Sequence, residues 1–215
     1  MSNKTILETQ RMLKTLGYDP KGTDGLWGKN SEAAFQALVK SKGNSNVISW
    51  GSKLTVEEIK AVKDMIARLN MKVSVNDLMA CMAFETGGTF SPSVQNRSTR
   101  ATGLIQFMPN NAIAYGTTVE ALAKMSVTQQ LAYVAKHFQP YARKVQNLDV
   151  YFAILWPRAI GRPDDYALWT LGERAYMYND GLDLNKDGKV TKMEALHYIK
   201  NRYVLGFTPQ YVRTL

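Results

Sequence analysis

Apolar residues recur at three- and four-residue intervals through nearly the whole chain, and strand-like alternation is scarce. Ile6, Leu7, Met12, Leu13 and Leu16 predict a helix over 6–16, which Gly17 stops. Ala33, Ala34, Phe35, Leu38 and Val39 predict a second helix near 30–40. The intervening stretch, 18–28, is turn-rich. Residues 41–53, rich in Ser, Gly and Asn, read as a linker. Beyond it, helix starts are marked by pairs with capping-box spacing: Thr55 with Glu58, Thr117 with Glu120, Ser126 with Gln129 and Thr191 with Glu194. Ser74 with Asp77 is a shorter variant. The expected fold is all-α, with a small module over 1–44, a linker over 45–54 and a helical domain over 55–215.

A length of 215 residues with 45% hydrophobic content supports a sizeable core. The single cysteine, Cys81, excludes an intrachain disulfide and any Cys-based metal cage. The first ten residues lack the apolar core of a signal peptide, and the longest apolar run, 150–156, is too short to span a bilayer. The expectation is synthesis in a cytoplasm, with release by another agent. A formal charge of +9 favours a polyanionic partner such as an anionic envelope polymer. No zinc-finger spacing, Walker loop or dense Lys/Arg arm points to nucleic acid.

Within 5–42, the residues Leu7, Gln10, Leu13, LGY at 16–18, DGLWG at 24–28 and AAFQ at 33–36 resemble a three-helix peptidoglycan-binding domain. The resemblance implies a wall anchor, with Asp24 and Trp27 as contact residues. Trp27 either offers a flat face to a sugar ring or closes the module's small core.

The run LMACMAFETGG carries one carboxylate, Glu85. Leu78, Cys81, Met82 and Glu85 share one helical stripe, so the acid lies on the inward face. Gly87 and Gly88 end the helix. Burial and the negative field of a helix C-terminus both favour the protonated form, as a general acid requires. Lysozyme is the established case of a glutamate raised in this way. From Thr86 to Val119 there is no Asp or Glu, while Thr99, Gln106 and other hydrogen-bonding side chains are frequent.

FETGGTFSPS followed by RATGLIQFMP resembles the catalytic core of the soluble lytic transglycosylase and goose-type lysozyme superfamily, over about residues 72–180. The matching positions are Glu85, Phe90-Ser91-Pro92, Gly103-Leu104-Ile105-Gln106 and Tyr178-Asn179. Ile105 replaces the family's Met, and the loop between Pro92 and Gly103 departs from the family spacing. The resemblance implies Glu85 as acid and base, with Gln106, Tyr178, Asn179 and a hydroxyl such as Thr99 contacting sugar. Glycosidases commonly use two carboxylates. Asp164, Asp165, Glu173 or Asp180 would have to reach the site through folding. Otherwise the substrate's N-acetyl group must assist. With the N-terminal module, the whole resembles a modular phage endolysin, acting at the wall after release or carried in a virion, and working as a monomer. The alternatives are a non-catalytic wall-binding or virion structural protein, and a basic nucleic-acid binder.

Residues 183–194 match a twelve-residue calcium loop: Asp183, Asn185 and Asp187 at positions one, three and five, Gly188 at the turn, Lys189 offering its carbonyl, and Glu194 last. Calcium there would be structural. The other reading is an Asx-rich turn in which Glu194 only completes the cap with Thr191. Asn179-Asp180-Gly181 is expected to break the entering helix. His137 and His197 lack companion ligands and are expected at the surface or as satisfied core residues.

Overall fold

The computed structural model describes residues 3–43 and 45–215. Helix dominates, as the periodicity predicts. In chain order the helices are α1 (Lys4–Thr15), α2 (Lys29–Lys42), α3 (Val56–Arg68), α4 (Val75–Glu85), α5 (Pro109–Ala114), α6 (Val119–Ala123), α7 (Val127–Phe138), α8 (Val150–Leu155), α9 (Arg174–Asn179) and α10 (Lys192–Leu205). Among the described residues four short strands, β1 (Val47–Ile48), β2 (Ala167–Thr170), β3 (Lys189–Thr191) and β4 (Arg213–Thr214), form two antiparallel pairs. β1 pairs with β4 and β2 with β3. No helix among the described residues is long and apolar enough to cross a membrane.

The start signals work locally. Thr55, Ser74, Ser126 and Thr191 each cap a helix, with the reciprocal contact from Glu58, Asp77, Gln129 and Glu194. One expected cap is displaced by a residue. Thr118, not Thr117, caps α6 by accepting from Ala121 N–H, and Glu120 turns instead to an ion pair with Arg100. Gly17 takes φ +89° and α1 closes with Tyr18 N–H donating to Leu13 C=O.

Residues 45–54, read as a linker, are packed. Ile48, Ser49, Trp50 and Leu54 are buried. Ser49 N–H donates to Asn76 Oδ1, and the Asn76 amide donates to the carbonyls of Lys42 and Val47. A Ser/Gly/Asn-rich composition signals turns, and here it supplies tight turns around one large side chain. The boundary residue Asn44 lies outside the described residues.

Trp50 is that side chain. Its own backbone is left-handed, φ 61°, and its indole donates to Arg202 C=O at 2.8 Å. The ring stacks on Tyr211 at 4.2 Å and meets Phe90 at 6.0 Å. Gly206 and Gly88 make room for it: a Cβ on Gly206 would lie 2.0 Å from Ser49 Oγ and 2.3 Å from the indole, and one on Gly88 3.0 Å from the indole. The turn after α4, the end of α10 and the segment before α3 therefore meet on one indole.

α10 packs against both α1 and α4. It has no single apolar face, because Lys192, Glu194, His197 and Lys200 are all buried with its aliphatic residues. Lys192 is held by Asp149 at 2.8 Å and by Arg162 C=O, and Lys200 by Glu32 at 2.6 Å. Both histidines are core residues. His137 bridges Tyr115 Oη and Ala153 C=O. His197 donates through Nδ1 to Met193 C=O, leaving Nε2 without a partner among the described residues, and burial pushes it down to about 4.

Replacing Trp50 with Ala is expected to cost about 3–5 kcal/mol. Urea unfolding is the measurement, and a loss within the range of a surface substitution would show that the three segments do not depend on the indole.

Candidate active site

Glu85 is the last residue of α4. Leu78, Cys81 and Met82 on its stripe are fully buried, so the helix enters the core and brings its end residue with it. The chain then reverses through Gly87 (φ 61°) and Gly88 (φ 81°), and Gly88 N–H returns to Ala83 C=O at 2.7 Å. Thr86 is buried. Its hydroxyl donates to Met82 C=O and accepts from Phe90 N–H, so the residue after the acid holds both the helix end and the Phe-Ser-Pro segment.

Glu85 keeps a solvent-facing edge, yet protein crowds it closely enough that burial raises its carboxyl from an ordinary 4.5 to about 8. Burial is the only resolved cause; no neighbouring carboxylate contributes. Among the described residues nothing donates a hydrogen bond or ion pair to the carboxyl. The helix C-terminal field acts in the same direction. In turn Glu85 acts on Tyr151 of α8, whose hydroxyl is held well above its usual range by burial first and by the Glu85 charge next. Tyr151 also meets Phe84 edge-on at 5.6 Å.

None of the four other acids considered from the sequence is a resolved cause of the Glu85 shift. Asp164 borders a cavity that also touches Asp77, at the opposite end of α4. Glu173 accepts from Thr170 N–H. Asp165 and Asp180 are exposed.

The Gly103–Gln106 segment is fixed by a residue that sequence reading missed. Buried Gln130 accepts from Leu104 N–H at 2.7 Å and donates to the carbonyls of Pro92 and Leu122. A Cβ at Gly103 would sit 2.3 Å from the Gln130 amide, and Gly103 has φ +81°. Both space and backbone therefore require glycine there. Gln106, also left-handed at φ 50°, donates its amide to Gly103 and Val94 carbonyls, so part of its hydrogen-bonding capacity holds its own loop. Thr99 lies in the exposed tip of that loop, where its hydroxyl accepts from Ala101 N–H.

Tyr178 is 74% exposed, with the Arg174 guanidinium 5.7 Å from its ring. Asn179 donates to Ala175 C=O and ends α9. No hydrogen bond joins either residue to Glu85. The connection runs through Tyr198 of α10, which donates to Gly181 C=O at 2.6 Å and lies 6.1 Å from the Phe84 ring. No sequence signal marks Tyr198, since it is one aromatic residue on a helix rich in apolar ones.

In the N-terminal part, Trp27 is half-buried. It packs edge-on against His197 at 4.7 Å and Phe35 at 6.3 Å, with Lys200 over its ring, and it donates to Glu32 at 2.7 Å. Of the two readings of Trp27, packing is the one these contacts describe. Asp24 accepts from Gln10 and from Leu26 N–H, and these bonds, the Leu26 one largest, hold its carboxyl below the usual range.

In the 183–194 loop the oxygens serve the loop's own amides. Asp183 accepts from the N–H groups of Lys186 and Gly188 and from Tyr176 Oη. Asn185 accepts from Asp187 N–H, and Asp187 from Lys189 N–H. Glu194 accepts from Leu184 and Asn185 N–H and closes the cap with Thr191. The helix break expected at 179–181 is present: α9 ends at Asn179 and a single 3-10 turn follows.

In comparisons with known proteins, no family model matched the chain and no curated protein matched it significantly.

Burial of Glu85 has a stability consequence. The unfolded chain loses this proton near 4.5 and the folded chain near 8. The contribution of Glu85 to stability is therefore fully present below 4.5 and is lost as pH rises through about 8. Glu85→Gln is expected to remove that slope and to be the more stable of the two proteins at the alkaline end, by a few kcal/mol, on the order of 1.4 for each pH unit between the two values. Denaturant titrations across this range test it, and parallel curves for the two proteins would contradict it.

Proposed function

We propose that the chain cleaves the β-1,4 bond between N-acetylmuramic acid and N-acetylglucosamine in peptidoglycan, with Glu85 as the general acid and base. The observation that carries the reading is a lone helix-end glutamate that stays protonated near neutral pH with burial as the only resolved cause. Support also comes from the arrangement after it, in which Thr86, Gln130 and Gly103 hold a polar loop in place. With no second carboxylate acting on Glu85, the substrate assists. The acetamido oxygen attacks the anomeric carbon while Glu85 gives its proton to the leaving oxygen. Glu85 then removes a proton, either from the muramic 6-hydroxyl, closing an anhydro ring, or from water. A lysozyme-like catalytic architecture, a wall-anchoring N-terminal part and a role in phage-induced lysis belong to the same proposal. So does attraction of the +9 chain to anionic envelope polymers.

Cell-wall zymograms and mass spectrometry of released muropeptides test the proposal. Glu85→Gln is expected to lose a hundredfold or more, about the contribution of one general acid. Equal clearing by both proteins would remove Glu85 from the mechanism. Anhydro ends identify intramolecular closure, and reducing ends identify hydrolysis. Activity is expected to fall as pH rises through about 8, where Glu85 loses its proton. A non-catalytic wall binder would give retention on sacculi without clearing, and a nucleic-acid binder would give salt-sensitive retention on DNA.

The loop at 183–194 offers only hard oxygen donors in calcium order, so the proposal includes a structural calcium ion there, held by Asp183, Asn185, Asp187, the Lys189 carbonyl and Glu194. Calcium is expected to raise the melting midpoint by a few degrees in the native chain and not in Asp187→Ala. An unchanged midpoint across calcium concentrations would reject the ion.

A further inference from the structure

α3 packs on α7, and a depression of about 440 Å³ opens between the last residues of α3 and the 139–144 turn that follows α7. Arg68, Arg143 and Lys144 line it, together with Leu69, Pro140 and Ala142. No acidic side chain borders it. The sequence explains why, since neither 65–76 nor 121–148 contains an Asp or Glu. All three cations are exposed, and among the described residues none makes an ion pair or a side-chain hydrogen bond. Lys144 also borders a neighbouring cavity with four acids, Glu32, Asp77, Asp149 and Asp164, so the two arginines define the site. A cation at a helix C-terminus often serves the helix's own carbonyls. Here the backbone already does so: the carbonyls of Met65, Ile66 and Ala67 accept from Leu69, Met71 and Asn70 N–H. The walls are held in register as well. Lys72 and Gln146 form a parallel bridge, and Asn147 N–H donates to Lys72 C=O at 3.0 Å. That bridge sets Lys72, exposed and also without a side-chain partner among the described residues, beside the segment that carries Arg143 and Lys144.

We infer that this depression binds a phosphomonoester group, with the guanidinium groups of Arg68 and Arg143 on its oxygens and the Lys144 ammonium beside them. Guanidinium forks meet phosphate oxygens in pairs, and an ammonium adds a point charge. A phosphomonoester carries close to two negative charges at neutral pH and so offsets more of this charge than a carboxylate would. The chemistry is the same whether the phosphate belongs to a soluble ester or to a lipid headgroup. The site stands apart from Glu85 chemistry. It gives the proposed attraction of the chain to anionic envelope polymers one location, and only that consequence rests on the function proposed above.

The test is calorimetric titration of the full chain with glycerol 3-phosphate, beside cosedimentation with phosphatidylcholine vesicles that contain or lack phosphatidic acid, all at low ionic strength. The native chain is expected to bind at least one phosphate probe saturably and to ignore the plain vesicles. Arg68→Gln and Arg143→Gln, both at exposed positions, are each expected to weaken that binding about tenfold. Arg11→Gln removes the same charge from an exposed position on α1 and is expected to leave it unchanged. Binding of glycerol 3-phosphate shows that a soluble ester suffices, and binding confined to phosphatidic acid vesicles assigns the site to a headgroup. Binding of neither probe, equal weakening by all three variants, or full affinity in both depression variants would each overturn the inference. Neither probe contains a glycosidic bond between sugars, so the two readings fail separately. Wall clearing without phosphate binding removes only this site, and phosphate binding without wall clearing removes only the glycosidase.

Discussion

The last long helix, α10, is surrounded by protein, and four of its polar side chains are buried with it. Burying Lys192, Glu194 and Lys200 is unfavourable unless each is met, and each is met from a different part of the chain: Asp149, the amides of the 183–194 loop, and Glu32. Removing one partner would leave an uncompensated buried group. The arrangement therefore admits few alternatives, and it fixes where α2, the 144–164 segment and the 183–194 loop lie around one axis.

From that axis the environment of Glu85 follows. α4 lies against α10, Tyr198 ties the 179–181 turn to the Phe84 side of α4, and Trp50 wedges beneath the glycine turn that ends α4. A carboxyl at the end of a buried helix with no donor to offset its desolvation must hold its proton, so its raised value is a consequence of packing. Gln130 adds the second support. By occupying the space a Cβ would need at Gly103, it holds the polar loop after Pro92 in a single course.

The N-terminal helices have a different relation to the site. Their tryptophan packs on Phe35 and His197, lies under Lys200 and donates to Glu32, and it stays half-buried. The Glu32–Lys200 pair exists only because α2 packs on α10.

Much of the local structure was legible in the sequence, because helix periodicity, capping pairs and glycine stops act within a few residues. Thr55, Ser74, Ser126 and Thr191 start helices where they were expected, and the turn at Gly87-Gly88 ends α4 directly after Glu85. The direction of the Glu85 shift was readable as well, since a stripe with Leu78, Cys81 and Met82 leaves its acid little access to water. What the sequence could not carry were relations across long separations. The 45–54 segment has the composition of a linker, and only the arrival of Arg202, Gly206 and Tyr211 makes Trp50 a core residue. Gln130, Tyr198 and the pairing of Glu32 with Lys200 are equally silent, because a buried polar side chain announces itself only through the partner that folding brings to it.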